Sequence, residues 1–375
     1  MSELTLAVDP GGSFLKGFYT LGTFKPELML MEPEVAVVPL HSLESYEKTK
    51  LGSSAPENSA WIEYKDKYVA VGFLARRRFH AGLQLQKRKF ELALPKVLAM
   101  VGAIAHKHDL PNGSKIRLGI LFPWREYKDR DLFHQLINEA LSSYKFRGEE
   151  KSFILDLFIC LPEGGGVLSR GRAPGSSLRE QNIAVVMLGY RDASILLVER
   201  GEMSVGHTEG LGFANLIAAV KNQTSGLDEH KLAAAICKAG KNVSPKALDE
   251  LVASVDLAYK NHELSTIRQA ISNAREEYWM MLSQWLKLYV GRSVDEVILA
   301  GGTAHFLRSE LNQLFSFSQT NWCENLEKQV MNSFQSQVTS KSLEYRLTDV
   351  YGLFFYLFGQ KQKLGSHTVV TPYAS

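Results

Sequence analysis

Apolar residues along the chain come in short runs that stop at glycine-rich turns, and this grammar occurs twice. Leu4 to Val8 is apolar, Asp9–Ser13 reads as a turn, and Phe14 to Leu21 resumes with alternating character. That pattern predicts a β-hairpin. Val35–Val38 predicts a further strand, and Leu40–Asn58, polar and carrying Gly52-Ser-Ser-Ala-Pro56, an exposed loop. Trp61–Tyr64 and Tyr68–Val71 flank Lys65-Asp-Lys67 as a second hairpin. Phe90, Leu94, Val97, Leu98 and Val101 recur at helical spacing and predict a helix from Arg88 to His106. Pro95 would kink or break it. Ile116–Phe122 reads as a buried strand ended by Pro123, Lys128–Tyr144 as a helix, and Phe153–Leu161 as a strand ended by Pro162.

Gly164-Gly-Gly166 and Arg170–Ser177 then mark a loop between two halves. Beyond it the opening repeats: strand Ile183–Leu188, a turn, strand Ser194–Val198, and a turn at Arg200-Gly-Glu202. Helices are expected at Phe213–Asn222, Leu227–Ala239, Lys246–Leu251 and His262–Val290. Strand Glu296–Ala300 leads into Gly301-Gly-Thr-Ala304 and a following helix, and Thr348–Phe358 reads as a helix buried in a core.

Composition narrows the classes. A chain of 375 residues with 45% hydrophobic content can build two ordinary cores. A net charge of +3 gives no argument for direct nucleic-acid binding. Cys160, Cys237 and Cys323 have neither disulfide-framework nor zinc-ligand spacing and read as small core residues. Met1–Thr5 lacks a signal-peptide pattern, and the apolar run Val97–Ala105 is too short to span a bilayer. The expectation is a cytoplasmic protein with no membrane partner.

Candidate chemistry lies at the glycine turns. A strand–turn–strand aims backbone N–H groups at phosphate oxygens without a helix start, so Gly11, Gly12 and Ser13 are candidate phosphate donors. Asp9, ending the first strand, suits a Mg²⁺-bound water, because Mg²⁺ keeps most of its waters and takes few protein ligands. Lys16, on the returning strand, can reach phosphates as a point charge. The plainer alternative is a hairpin with an exposed lysine. Glu163, in Leu161-Pro-Glu-Gly164, can orient an attacking water, or be an ordinary turn residue. Gly189 and Tyr190 offer a second set of backbone donors, and Gly301, Gly302 and Thr303 a third close approach for a base or ribose. No Gly-x-x-x-x-Gly-Lys-[Ser/Thr] occurs, which excludes a P-loop ATPase, and Gly210-Leu-Gly212 lacks the third glycine of a dinucleotide fingerprint. Arg76–Arg78 and Lys87–Lys89 read as a solvated basic stretch that could meet an acidic neighbour.

The three loops, Asp9–Lys16, Met187–Asp192 and Val297–Ala304, resemble in order and spacing the two phosphate loops and the adenosine loop of the actin-like ATPase superfamily. With the Trp61–Gly72 hairpin and the Pro-Glu-Gly segment, the chain looks most like the ParM/Alp plasmid-segregating actins. The resemblance implies an α/β fold of two ribonuclease-H-like domains around a nucleotide cleft. The first would span residues 1–178 with a returning helix at 343–360, the second 179–342. It implies ATP or GTP with Mg²⁺ as ligand, Glu163 and Asp9 as catalytic groups and Asp9 as the metal residue through water. It also implies self-assembly into filaments and a DNA-bound adaptor as partner. One position departs from the pattern. An Asp usually opens the second loop, and here Met187 stands there, which can hold no metal-bound water. That supports nucleotide binding more than fast hydrolysis, and leaves a nucleotide-gated scaffold as the alternative.

Overall fold

The computed structural model describes residues 3–22, 25–50, 52, 54–170, 178–338 and 343–364. Residues 171–177, the core of the expected linker, lie outside them. The chain divides into two compact units, Met1–Ser176 with Cys323–Ser375, and Ser177–Trp322.

The first unit opens with the meander β1 (Glu3–Pro10), β2 (Leu15–Thr20) and β3 (Glu27–Met31). There follow β4 (Val35–Val37), α1 (Leu40–Thr49), the hairpin β5 (Trp61–Tyr64) and β6 (Lys67–Val71), α2 (Phe73–Phe79) and α3 (Lys89–Lys107). Then come β7 (Ser114–Phe122), α4 (Trp124–Tyr127), α5 (Arg130–Ser142), the short hairpin β8 (Tyr144–Phe146) and β9 (Glu149–Lys151), β10 (Phe153–Pro162) and α6 (Gly165–Arg170). A central sheet has the order β10-β7-β1-β2-β3, and a smaller one the order β4-β6-β5-β8-β9. In the central sheet β1, β7 and β10 run parallel, while β1, β2 and β3 are antiparallel.

The second unit contains β11 (Asn182–Leu188), β12 (Ala193–Glu199), β13 (Glu202–Glu209), α7 (Phe213–Gln223), α8 (Glu229–Ala239) and the long α9 (Leu257–Tyr289). It closes with β14 (Glu296–Ala300), α10 (Gly302–Phe306), α11 (Arg308–Leu314) and β15 (Gln319–Asn321). Its sheet order is β13-β12-β11-β14-β15, again an antiparallel meander continued by parallel strands. The repeated grammar of the sequence is therefore a repeated topology.

The chain returns to the first unit with α12 (Glu324–Val338) and α13 (Glu344–Leu364). Successive strand residues face opposite sides of a sheet. On β1, Leu4, Leu6 and Val8 pack with α3, while Phe18 of β2 meets Phe334 of α12 and Tyr351 of α13 at ring distances of 5.1 and 5.0 Å. A sheet covered on both faces needs apolar side chains at nearly every position, which is why Leu6–Val8 of β1 and Leu118–Phe122 of β7 read as unbroken apolar runs.

Several expectations change. The loop expected over Leu40–Asn58 contains α1, because Leu43 and Tyr46 share a face that packs on the small sheet while the other positions, Leu40 aside, are polar. The expected helix Lys128–Tyr144 is the shorter α5, preceded by the separate α4, with Tyr144 in β8. Lys246–Leu251 forms two short 3₁₀ turns around Leu248. α3 passes through Pro95 as one helix. Of the cysteines, Cys160 and Cys323 are buried but Cys237 is exposed.

Candidate functional site

In the first unit the hairpin register places Asp9 opposite Lys16. The Lys16 ammonium donates to Asp9 Oδ2 at 2.5 Å and to the Arg346 carbonyl at 3.2 Å. Between these strands, the Gly11 carbonyl accepts from the buried Lys96 at 3.3 Å, and Ser13 Oγ accepts from the Arg346 guanidinium at 2.6 Å. Arg346 also lies over the Phe14 ring, 5.1 Å from its centre. Glu163 follows β10, whose parallel pairing with β7 brings it beside β1.

Asp9 and Glu163 are joined by a residue that sequence reasoning placed on the surface. Lys89 Nζ donates to Asp9 Oδ1 at 2.6 Å and to Glu163 Oε1 at 2.9 Å, and the residue is only 5% exposed. It begins α3, where the backbone N–H groups of Lys89 and Phe90 donate to the buried Glu126 carboxylate at 3.1 and 2.6 Å. An acidic group at a helix start satisfies donors that lack an intrahelical partner. Glu126 thereby fixes where Lys89 begins.

Asp349, on α13, accepts from the N–H groups of Gly164, Gly166 and Val167 at 2.8, 2.9 and 3.1 Å. One buried carboxylate thus caps α6 and holds the turn that carries Glu163. Burial pushes the Asp349 carboxyl up to about 6, against the donated N–H groups, with the charges of Asp9 and Glu163 adding to the rise.

Burial also raises Asp9, but the Lys16 and Lys89 charges and their hydrogen bonds outweigh it and hold that carboxyl well below its ordinary value of 3.8. Burial lowers Lys89, and Asp9 and Glu163 more than reverse this, so its ammonium stays charged. A carboxylate depressed on folding contributes stability that is present above its unfolded value and lost as pH falls toward its folded one. Urea unfolding should therefore show a wild-type decline below about pH 4 that is smaller in Asp9→Asn. An identical acid slope in the two proteins would remove the Asp9 cluster as its source.

The donor set can be weighed against a metal. Among the described residues, no group of three or more His, Cys, Asp or Glu is placed to hold an ion. Asp9 alone, beside Glu163, suits Mg²⁺ that arrives with phosphate oxygens and water. Two ammonium groups on these carboxylates suit a polyphosphate and disfavour a bare cation.

In the second unit the turn Gly189–Asp192 joins β11 to β12, closed by the Gly189 N–H on the Asp192 carbonyl at 2.9 Å. Its carbonyls point one way: Gly189 accepts from Phe213 N at 3.1 Å, Tyr190 from Ala214 N at 2.9 Å, and Arg191 from Gly212 N at 3.0 Å. In a trans peptide the N–H points opposite to the preceding carbonyl. The N–H groups of Tyr190, Arg191 and Asp192 are accordingly turned away from α7. Gly212, half of a pair that looked like a failed dinucleotide motif, is needed here, since a Cβ would lie 2.3 Å from the Tyr190 carbonyl oxygen. Tyr190 OH donates to Glu229 at 2.9 Å, and Arg191 donates to the buried Asp192 at 2.6 Å. Met187 sits half-buried opposite Ser194.

The third loop packs directly on the second. Thr303 Oγ1, buried, donates to the Gly189 carbonyl at 2.7 Å. Gly301 has φ 97°, and a Cβ there would lie 2.4 Å from the Leu188 carbonyl oxygen, so only glycine fits. Gly302 begins α10. On α9, Arg275 lies 4.3 Å from the Phe306 ring centre and donates to Glu310 at 2.7 Å.

The structure therefore brings together Asp9, Lys16 and Glu163 in one unit, and Gly189, Gly301 and Thr303 in the other. Lys89, Arg346, Asp349 and Arg275 were missed. Asp349 and Arg275 carried a signal, each being a lone charge in the apolar phase of a helix. Lys89 carried none, being one of three consecutive basic residues.

No protein-family model and no curated protein matches the chain. Its fold is similar to that of a 15-stranded ParM filament from Clostridium botulinum, at 17% identity over 96% of this chain and 100% of that one, with a TM-score of 0.59. The actin-like protein Alp7A aligns at 12% identity over 97% and 98% of the two chains with a TM-score of 0.62. The archaeal actin homologue Ta0583 aligns at 14% over 95% and 99% with a TM-score of 0.56. On these likenesses the chain has the actin-like α/β fold of the ParM and Alp filament proteins.

Proposed function

We propose that this chain binds ATP or GTP with Mg²⁺, hydrolyses it slowly and assembles with itself into filaments that segregate plasmid DNA through a DNA-bound adaptor in the cytoplasm. The observation that carries the reading is the ionic chain Lys16–Asp9–Lys89–Glu163 beside the Gly11–Ser13 turn. In this reading Gly11, Gly12, Ser13 and Lys16 hold phosphate, as do the backbone donors of the Gly189–Tyr190 turn. Gly301, Gly302 and Thr303 form the adenosine-side loop. Asp9 would hold Mg²⁺ through water, and Glu163 would orient the water that attacks the terminal phosphate. Bound Mg²⁺ would neutralise phosphate charge. Filament growth follows from head-to-tail contacts whose rotation does not close, and the filament-forming likenesses in fold support it.

A nucleotide-gated scaffold that neither hydrolyses nor polymerises is the second reading. Met187 favours it, together with the buried Asp192, which is salt-bridged to Arg191. Calorimetry with Mg²⁺–ATP and Mg²⁺–GTP, followed by sedimentation and phosphate release with a non-hydrolysable analogue alongside, tests both. Nucleotide-dependent pelleting and slow phosphate release are expected. Binding without either supports the scaffold, and no binding at millimolar triphosphate overturns both readings.

A further inference from the structure

We infer that Lys89 is a built-in counter-ion that makes the site select a metal–phosphate complex over a free divalent cation; the inference rests on the nucleotide reading above. The Lys89 ammonium bridges the two carboxylates, 2.6 Å from Asp9 and 2.9 Å from Glu163, and Lys16 takes the other Asp9 oxygen at 2.5 Å. Two ammonium groups and two carboxylates leave this cluster with no net charge. Removing Lys89 leaves the two carboxylates of Asp9 and Glu163 against the single ammonium of Lys16. The bridge is held in place, since the Lys89 and Phe90 N–H groups end on the buried Glu126 and the lysine leads a 19-residue helix.

A hard cation such as Mg²⁺ binds oxygen ligands that carry net negative charge. In the native cluster it must displace an ammonium from either Asp9 oxygen or from Glu163 Oε1, and the displaced ammonium then loses its carboxylate partner. A triphosphate supplies a replacement partner, because its oxygens pair with the ammonium as the cation meets the carboxylate. Lys89 thus acts as a positioning residue: it keeps Asp9 and Glu163 together, and it couples acceptance of metal to arrival of phosphate. Lys89→Gln keeps a polar side chain of similar reach without the charge, and turns the cluster into a net acidic site.

The test uses the full chain without nucleotide, titrated with MnCl₂ and followed by calorimetry and by loss of the free-Mn²⁺ electron-spin-resonance signal. Lys89→Gln is expected to bind Mn²⁺ at least about tenfold more tightly than wild type, the scale of one charge-assisted contact. Lys89→Arg, which retains the charge, should behave as wild type. In parallel, metal-free ATP affinity measured in EDTA should fall by about tenfold in Lys89→Gln. Should Lys89→Gln prove unfolded in EDTA, millimolar Mn²⁺ is expected to restore its melting transition, and a melt indifferent to metal overturns the inference. Equal Mn²⁺ affinity in wild type and Lys89→Gln also overturns it. If wild type binds no Mg²⁺–nucleotide at all, the nucleotide reading fails instead, and the Mn²⁺ titration of the free protein still decides the role of Lys89 as counter-ion.

Discussion

Replacing Glu163 by alanine is expected to lower nucleoside triphosphate turnover by about 10²–10⁴-fold while leaving nucleotide binding intact. The group lost is the carboxylate proposed to orient the attacking water. The group retained is Lys89, which keeps its 2.6 Å contact with Asp9. Because Glu163 sits at the end of β10 on a turn held separately by Asp349, truncating its side chain should leave the turn in place. Single-turnover phosphate release and calorimetry on the same preparation separate the two effects. The companion variant Met187→Asp restores the carboxylate that the second loop lacks and is expected to raise turnover. Asp192→Ala serves as the control: it removes the partner of Arg191 but should leave turnover unchanged unless Asp192 has taken the metal role. Unchanged hydrolysis in Glu163→Ala would remove Glu163 from the mechanism. A fall in Met187→Asp with a loss in Asp192→Ala would mean that the loop is rebuilt around Asp192.

The largest effect on stability is expected from Asp349→Ala. That change leaves the N–H groups of Gly164, Gly166 and Val167 facing a protein interior without their acceptor. Each unpaired buried donor costs about 1–3 kcal/mol, so the unfolding free energy should drop by about 3 kcal/mol or more. Asp349→Asn keeps one acceptor oxygen and should lose less. Its deficit should also depend on pH in a defined sense. The wild-type carboxyl is raised on folding from 3.8 to about 6. Its contribution is then fully present below pH 3.8 and lost as pH rises through about 6. The Asn variant has no such titration, so its disadvantage should shrink between pH 4 and pH 7, read from urea midpoints. A deficit that is constant across this range would show that burial does not raise Asp349, and an Ala variant as stable as wild type would show that it holds no turn.

How far the sequence reaches is visible at single residues. Strands covered on both faces, such as β1, β7, β11 and β14, are legible because burial on two sides demands apolar residues at successive positions. The edge strands β3, β13 and β15 were missed. β13 pairs with β12 along its length, with a register shift between Leu197 and Val198, but leaves most of its positions half-buried or exposed, so no alternation survives. The polar α1 hid for the same reason, with Leu43 its only fully buried residue. The glycine turns were legible because backbone geometry at a tight approach, as at Gly301 with its φ of 97°, admits almost nothing else.

The amino-acid order by itself determined the repeated strand–turn–strand plan and the positions of Asp9, Lys16 and Glu163 on it. Only the tertiary structure decided which charges meet. Lys87, Arg88 and Lys89 are neighbours in the chain, yet Lys89 alone is buried, because Glu126 fixes the first turn of α3 and the helix phase aims that one ammonium inward. Arg346 reaches Ser13 across 333 residues, and Asp349 reaches Gly164 across 185. Hydrophobic periodicity is a local signal, set by the side on which each residue must be buried. Ion pairing depends on distances of a few ångströms between residues far apart in sequence, and these exist only once the sheet and the helices on its two faces are packed.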